Sequence, residues 1–366
     1  MLKIIYAIAT LSGTIIGVGL FSLPFITRQV GVLTMLGYFF ILGFLVILIH
    51  LLFSEVALAT PDRMRFPGYA KLHLGSWGQK LALISSLTGF FGALLAYLIV
   101  GGEFLTNLLG PLFGGNNVFY TALYFLIGSL MILFGIKIIS RIEFWGLIGF
   151  IVVLALMFFR GRGLIDPGNL TDSMEIKNWF LPYGPIFFSL WGASLIPELE
   201  EMLAEKKHLL KKVVFVSILI PIIVYLFFIY LVLGITGAQT TESAMAGLKN
   251  VLGNGMVNLG LLFGLITTFT SFIAIGLALK NTLHYDLKLG KNLAFGVACF
   301  LPLILFLAGL KSFIGVISFV GGVMLGIDGI LILLMYRKLH PRKLWVPPLV
   351  LVFLGGIIYE IIYFTR

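Results

Sequence analysis

Eleven stretches of 18 to 30 residues, each apolar enough to cross a bilayer, run through the chain at approximately 4–28, 32–59, 80–109, 118–139, 142–159, 180–200, 209–236, 256–283, 291–309, 312–336 and 345–363. A bilayer core takes about 20 apolar residues per helix. Within it every backbone N–H and C=O must be paired inside the structure, which leaves helices as the spanning element for stretches this long. With 60% hydrophobic and 11% charged residues and a mean hydropathy of +1.11 over 366 residues, the expected fold class is an all-α polytopic membrane protein of eleven transmembrane helices. The first stretch begins at a basic residue, Lys3, as a signal peptide would. It is longer than an h-region of about 7–15 residues and lacks a small-residue cleavage site, so it is expected to be retained.

The net charge of +10 follows the membrane rather than a nucleic acid. With the N-terminus in the cytoplasm, 18 of the 25 Lys and Arg residues fall in inside segments and 7 in outside ones. That bias predicts a cytoplasmic N-terminus and, with eleven spans, an external C-terminus. The expected location is an inner membrane of bacterial or archaeal type, with the lipid bilayer as partner and no nucleic acid. Cys299 is the single cysteine and leaves no partner for an intramolecular disulfide; it reads as a small packing residue.

The first span is interrupted. Gly13-Thr14-Ile15-Ile16-Gly17-Val18-Gly19-Leu20-Phe21-Ser22-Leu23-Pro24 places three glycines and a proline inside a membrane stretch, and each interior glycine costs about 1 kcal/mol of helix propensity relative to alanine. Span six is interrupted too, in Phe187-Phe188-Ser189-Leu190-Trp191-Gly192-Ala193-Ser194-Leu195-Ile196-Pro197-Glu198. The two spans are five apart. Broken spans at matching positions point to two five-helix inverted repeats around a midplane site, here about 4–159 and 180–336, with an extra helix at about 345–363, all in one transporter domain of residues 1–366. The plain alternative is that small residues only let helices pack closely.

These stretches, together with Ser54-Glu55-Val56-Ala57-Leu58, Phe66-Pro67-Gly68-Tyr69 and Thr270-Ser271-Phe272-Ile273-Ala274, resemble amino acid permeases of the amino acid–polyamine–organocation superfamily. The likeness runs to the eleven-span branch of bacterial aromatic amino acid permeases and eukaryotic auxin/neutral amino acid permeases. It implies the five-plus-five fold of a bacterial leucine transporter, with helices one and six broken, and a secondary active, ion-coupled symporter of neutral or aromatic amino acids working by alternating access.

For a zwitterionic amino acid, the half-helix after Gly17-Val18-Gly19-Leu20 offers backbone N–H donors and a positive helix end to the carboxylate. Carbonyls near Thr14 and Ile15, and from Phe188, Ser189 and Leu190, offer acceptors to the ammonium. Trp191 and Gly192 lie in the second break, Trp191 as a gate, pocket wall or plain packing residue. Tyr97 of span three either lines the pocket or packs. The substrate is expected between spans one, three, six and eight. No organic cofactor is expected.

The resemblance implies a possible Na⁺ site from the carbonyls of Gly13, Ile16 and Thr267 and the hydroxyls of Thr270 and Ser271. The ordinary alternative for those hydroxyls is a bond to a carbonyl one turn back. Proton coupling is the rival. Some relatives carry a lysine in span five, and Ile142 to Phe159 has none. Glu103 and Asp328 are the intramembrane carboxyls, candidates for coupling or gating. Glu55 and Glu198 sit near inner span ends, as gate or loop contacts. Glu200, Glu201 and Glu205 beside Lys206, Lys207, Lys211 and Lys212 read as a solvated loop. A transporter-like receptor without net flux would share every motif. A polytopic enzyme is disfavoured because the five histidines are scattered and form no H-E-x-x-H pair.

Overall fold

The computed structural model describes residues 2–60, 64–134, 139–171, 179–245, 247–248 and 254–365. Of the basic residues counted for topology, Arg63, Lys137, Lys177, Lys249 and Arg366 lie outside these, as does the end of the long polar connection at 172–178. The described residues are helical, with no strand among them. Eight helices are long and apolar enough to cross a membrane, or nine if a pair bent by 45° near residue 16 is one span.

In chain order the helices are α1 (Leu2–Ile15), α2 (Leu23–Val30), α3 (Val32–Ala59), α4 (Phe66–Leu74), α5 (Ser76–Phe113), α6 (Asn117–Phe134), α7 (Ile139–Gly161), α8 (Tyr183–Leu190), α9 (Ile196–Leu203), α10 (Leu210–Thr236), α11 (Asn254–Tyr285), α12 (Lys291–Leu307), α13 (Phe313–Phe319), α14 (Leu325–Leu339) and α15 (Val346–Thr365). A π turn, Val320–Met324, joins α13 to α14. Helices α8, α9 and α10 fall in one 57-residue apolar run, and α12 is a shorter apolar helix of 17 residues.

Both predicted breaks are present. After α1 the chain bends at Gly17 (φ −104°, ψ −149°) and makes a 3-10 turn over Val18–Ser22 before α2. After α8, Trp191 is extended (φ −84°, ψ 125°), Gly192 follows, and a 3-10 turn over Ala193–Leu195 leads into α9. The sequence restarts both helices the same way. Pro24 and Pro197 sit in the first two positions of α2 and α9, where a missing N–H breaks no helix bond.

Packing brings the breaks together. A Cβ on Gly19 would lie 2.7 Å from Ser189 Cβ and 2.9 Å from its Cα, and one on Gly192 would lie 2.6 Å from Leu11 Cδ1. The glycines are therefore first of all what lets the two broken helices cross, in the manner of small-residue contacts in membranes. Helix α1 packs mainly on α7, α9 and α10, while α11 packs on α5, α6, α7 and α12.

At one end of the bundle, Glu55 takes both Lys211 and His340 (2.6 Å to the latter), and Arg65 reaches Asp286 at 3.2 Å. Glu55 thus makes the loop contacts expected of it. Glu200 departs from the solvated-loop expectation: α9 turns it inward, where it is buried and holds Lys207 at 2.5 Å.

Candidate functional site

Residues from both breaks line one cavity of about 870 Å³, measured to the surrounding atoms and including its open mouth. Thr14, Ile15, Gly17, Val18 and Gly19 come from the first break, and Phe188, Ser189, Trp191 and Gly192 from the second. Tyr97 joins them from α5. Leu20 and Leu190 do not line it; their side chains are fully buried in the apolar core, because the 3-10 turn and the end of α8 rotate them away from the gap.

The cavity continues beyond the residues expected from sequence. Ser85, Gly89, Ala93 and Tyr97 stand at intervals of four along α5 and form one wall. By helix rise that wall extends about 18 Å. Its far end carries Ser85, Ser86 and, from α14, Asp328, with Phe66 and Phe90 nearby. The fourth wall is thus the π turn and α14, through Val320, Leu325, Asp328 and Ile332; α11, in the expected span-eight position, contributes only Ile275 among the described residues.

Gly17 has a specific neighbour. A Cβ there would lie 2.4 Å from the Tyr97 hydroxyl and 3.4 Å from the Thr14 carbonyl. On the α2 side of the break the space is filled by Phe21 edge-on to Phe104 (centroids 4.8 Å) and to Phe228 (5.9 Å).

The carbonyls freed by the breaks share a partner. The Tyr225 hydroxyl of α10 lies 2.6 Å from the Ile15 carbonyl and 2.7 Å from that of Ser189. One hydroxyl has one proton, so it satisfies one carbonyl at a time; the Ile15 carbonyl also accepts the Gly17 N–H at 2.7 Å, while the Ser189 carbonyl keeps a further lone pair for another donor.

The second break has a partner that sequence reading passed over. His50 of α3 accepts the Gly192 N–H at Nε2 (2.9 Å) and donates from Nδ1 to the Val46 carbonyl (2.7 Å). Its ring stands edge-on to Trp191 at 5.1 Å. A lone histidine in an apolar span gives no periodic signal. The clue in the sequence is that a buried histidine needs two polar partners, and a broken helix supplies them.

The two carboxyl candidates part company. Asp328 is 7% exposed, lines the cavity and accepts a hydrogen bond from Ser85. Glu103 does not line it. It accepts from Ser243 at 2.5 Å, in the connection after α10. Among the residues assigned to Na⁺, the Thr267 hydroxyl donates to the Gly264 carbonyl (3.0 Å) and that of Thr270 to the Thr267 carbonyl (3.0 Å). Gly13, Ile16, Thr267, Thr270 and Ser271 are all outside the cavity lining. No His, Cys, Asp and Glu group of three or more is placed to hold a metal among the described residues.

Two broken helices facing each other across a cavity, in an all-helical bundle, are the architecture of transporters with the leucine-transporter-like inverted-repeat fold. The solved structures agree on the fold. The chain superposes on Mhp1, a nucleobase-cation-symport-1 family transporter, in a closed conformation with bromovinylhydantoin bound, with a TM-score of 0.67 over 97% of this chain and 92% of that one at 13% identity. It superposes on MhsT in complex with L-phenylalanine with a TM-score of 0.59 over 98% of both chains at 13% identity.

The particular family follows from sequence. Residues 1–362 match the tryptophan/tyrosine permease family, and the chain belongs to it. Relatives are the tyrosine-specific transport system 1 of Haemophilus influenzae, 24% identical over 335 residues (84% of this chain, 80% of that protein), and glutamine transporter 2 of Aliivibrio fischeri, 22% identical over 322 residues (85% and 82%). The family and these relatives are transporters, not enzymes.

Proposed function

We propose that this permease is a secondary active, ion-coupled symporter of neutral or aromatic amino acids, of the eleven-span amino acid/auxin-type branch, working by alternating access. The observation that carries the reading is the cavity between the two breaks. It has aromatic walls (Tyr97, Phe188, Trp191, Phe90), freed backbone ends, and no cationic side chain among its lining residues. A zwitterion is served there by backbone: its carboxylate by the N–H groups of Val18, Gly19 and Leu20 at a positive helix end, its ammonium by the second lone pair of the Ser189 carbonyl and by the carbonyls of Thr14 and Phe188. Relatives named for tyrosine and glutamine transport support an uncharged side chain.

Counting α8–α9 and α10 as separate spans, and α12 as a short one, gives eleven spans in a single unit, with α15 added to two repeats. The charge bias then puts the N-terminus inside and the C-terminus outside a bacterial- or archaeal-type inner membrane. For the coupling ion, the Gly13, Ile16, Thr267, Thr270 and Ser271 site stands on the family resemblance. The Thr270 hydroxyl, donating to the Thr267 carbonyl, keeps its own lone pairs for a cation, and that carbonyl keeps one of its two, so this bond is compatible with the site.

Reconstituted in proteoliposomes, the protein should take up one or more amino acids from a broad panel saturably, and L-glutamine or an aromatic amino acid should rank first. No saturable uptake across the panel would defeat the reading. Uptake unchanged when Na⁺ is replaced by choline, but abolished by a proton uncoupler, would remove the Na⁺ assignment and leave Asp328 as the coupling group in the cavity.

A further inference from the structure

The second break leaves one backbone donor that the helix cannot serve. With Trp191 extended, the Gly192 N–H has no carbonyl one turn back, and His50 takes it. Both partners of the ring have fixed polarity. The Val46 carbonyl only accepts, so Nδ1 carries a proton; the Gly192 N–H only donates, so Nε2 is bare. The pair fixes one neutral tautomer in a site with no solvent exposure.

Adding a proton at Nε2 sets N–H against N–H. The Gly192 bond is lost, and an imidazolium is left without a counter-charge. The helices packed against α3 carry Arg28 (α2), Tyr183 (α8), Glu198, Glu200 and Glu201 (α9), Lys211, Lys212, Tyr225 and Tyr230 (α10), and Asp328, Tyr336, Arg337 and Lys338 (α14). On α3 itself are Tyr38 and Glu55. Of the carboxylates, Glu55 is taken by Lys211 and His340, Glu200 by Lys207, and Asp328 faces Ser85. The ring's hydrogen-bond partners are the Val46 carbonyl and the Gly192 N–H, neither of them ionised. A protonated ring stays only if the break moves and lets water in.

We propose that His50 is a positioning residue that works as a proton-operated latch on the second break. Neutral, it holds Gly192 and the Trp191 ring in the cavity wall. Protonated, it releases them, and the cavity loses that wall and its grip on the solute. The affinity part of this rests on the reading that the cavity takes an amino acid; the movement of Trp191 does not.

The experiment uses the full-length purified protein from about pH 8 down to about pH 4, with radiolabelled L-tyrosine as the binding probe and Trp191 emission as a probe that needs no ligand. Trp191 emission is the wild-type signal minus that of W191F. In the wild type, L-tyrosine affinity should fall about tenfold or more as pH is lowered, and Trp191 emission should change over the same range. His50→Ala should bind weakly at every pH. His50→Gln can accept from Gly192 with its oxygen and donate to Val46 with its NH₂, so it should restore most of the affinity that His50→Ala loses, without the pH dependence in affinity or emission. A pH-independent Trp191 signal in the wild type would overturn the latch even if no His50 variant folds, and so would a pH response that His50→Gln retains. If L-tyrosine binds at no pH, the tyrosine-binding reading fails, and the Trp191 signal still decides on His50.

Discussion

The two broken helices solve the same problem by different means. The first break is made by omission. Gly17 and Gly19 carry no side chain, and the room is taken by the Tyr97 hydroxyl and by Ser189. The second break is made by extension at Trp191 and is held by a polar side chain from elsewhere, His50 on the Gly192 N–H; at the other end of α8, Glu360 of α15 lies against Gly184, where a Cβ would meet its Oε1 at 2.9 Å. Glu360 is 3% exposed and lies against Gly322 of the π turn, where a Cβ would meet its Cγ at 2.3 Å. The first break is thus controlled sterically and the second by hydrogen bonds. Tyr225 touches the carbonyls of both, Ile15 and Ser189. Steric control tolerates no added atom, whereas polar control tolerates any side chain of the right donor or acceptor sense.

The largest effect should therefore come from Gly19→Val. Its Cβ would collide with Ser189 backbone, which cannot rotate away as a side chain could, and overpacking of this kind costs about 1–3 kcal/mol or more. Uptake should be abolished and the thermal midpoint lowered. Gly17→Ala is the controlled version, because its obstacle is the end of a ring. It should weaken substrate binding about tenfold, and Tyr97→Phe should recover part of that loss in the double variant, a coupling readable as a double-mutant cycle. Equal losses in Gly17→Ala with and without the Tyr97 hydroxyl would mean that the first break is not governed by that contact.

How far the site could be read from sequence divides along the same line. The first break was legible because glycine and proline disturb helices by their own covalent structure, and ten of the twelve residues expected to bind substrate line the cavity. The partners of the second break were not. His50 and Glu360 are 142 and 176 residues from the glycines they meet, and nothing in their local sequence marks the encounter. Likewise α15, which sequence patterning treats as an addition to two repeats, packs on the π turn and places Glu360 against Gly184 of α8. Leu20 and Leu190, expected to act through backbone groups, keep their side chains in the core, because a 3-10 turn and a helix end turn them away from the gap.

Polar control predicts intermediate, graded effects. Tyr225→Phe removes the one proton shared by the two breaks and should cost about 1–3 kcal/mol of stability, since a buried acceptor is left unpaired. It should show as a lowered thermal midpoint with the protein still folded. Glu360→Gln keeps an acceptor oxygen beside Gly184 and should reduce uptake less than Glu360→Ala does. If the two Glu360 variants behave alike, the contact is packing and α15 is outside the polar scheme.

The smallest effect separates the two intramembrane carboxyls. Asp328 lines the cavity at the far end of the α5 wall, and its partner is the Ser85 hydroxyl, which also reaches the Ala82 carbonyl at 3.2 Å. Ser85 has a single proton, so whenever it donates to Ala82 the contact with Asp328 requires the carboxyl to be the donor. A carboxyl able to hold or release a proton beside the solute path should matter to turnover more than to binding. Asp328→Asn should retain substrate binding and lose most net uptake. Glu103 lies off the cavity with Ser243 as its partner, so Glu103→Gln, which keeps an acceptor for that hydroxyl, should leave uptake within about twofold, a change of under 0.5 kcal/mol. A larger loss in Glu103→Gln than in Asp328→Asn would move the coupling group from the cavity to the α5–Ser243 contact and break the link between the π-turn side of the site and transport.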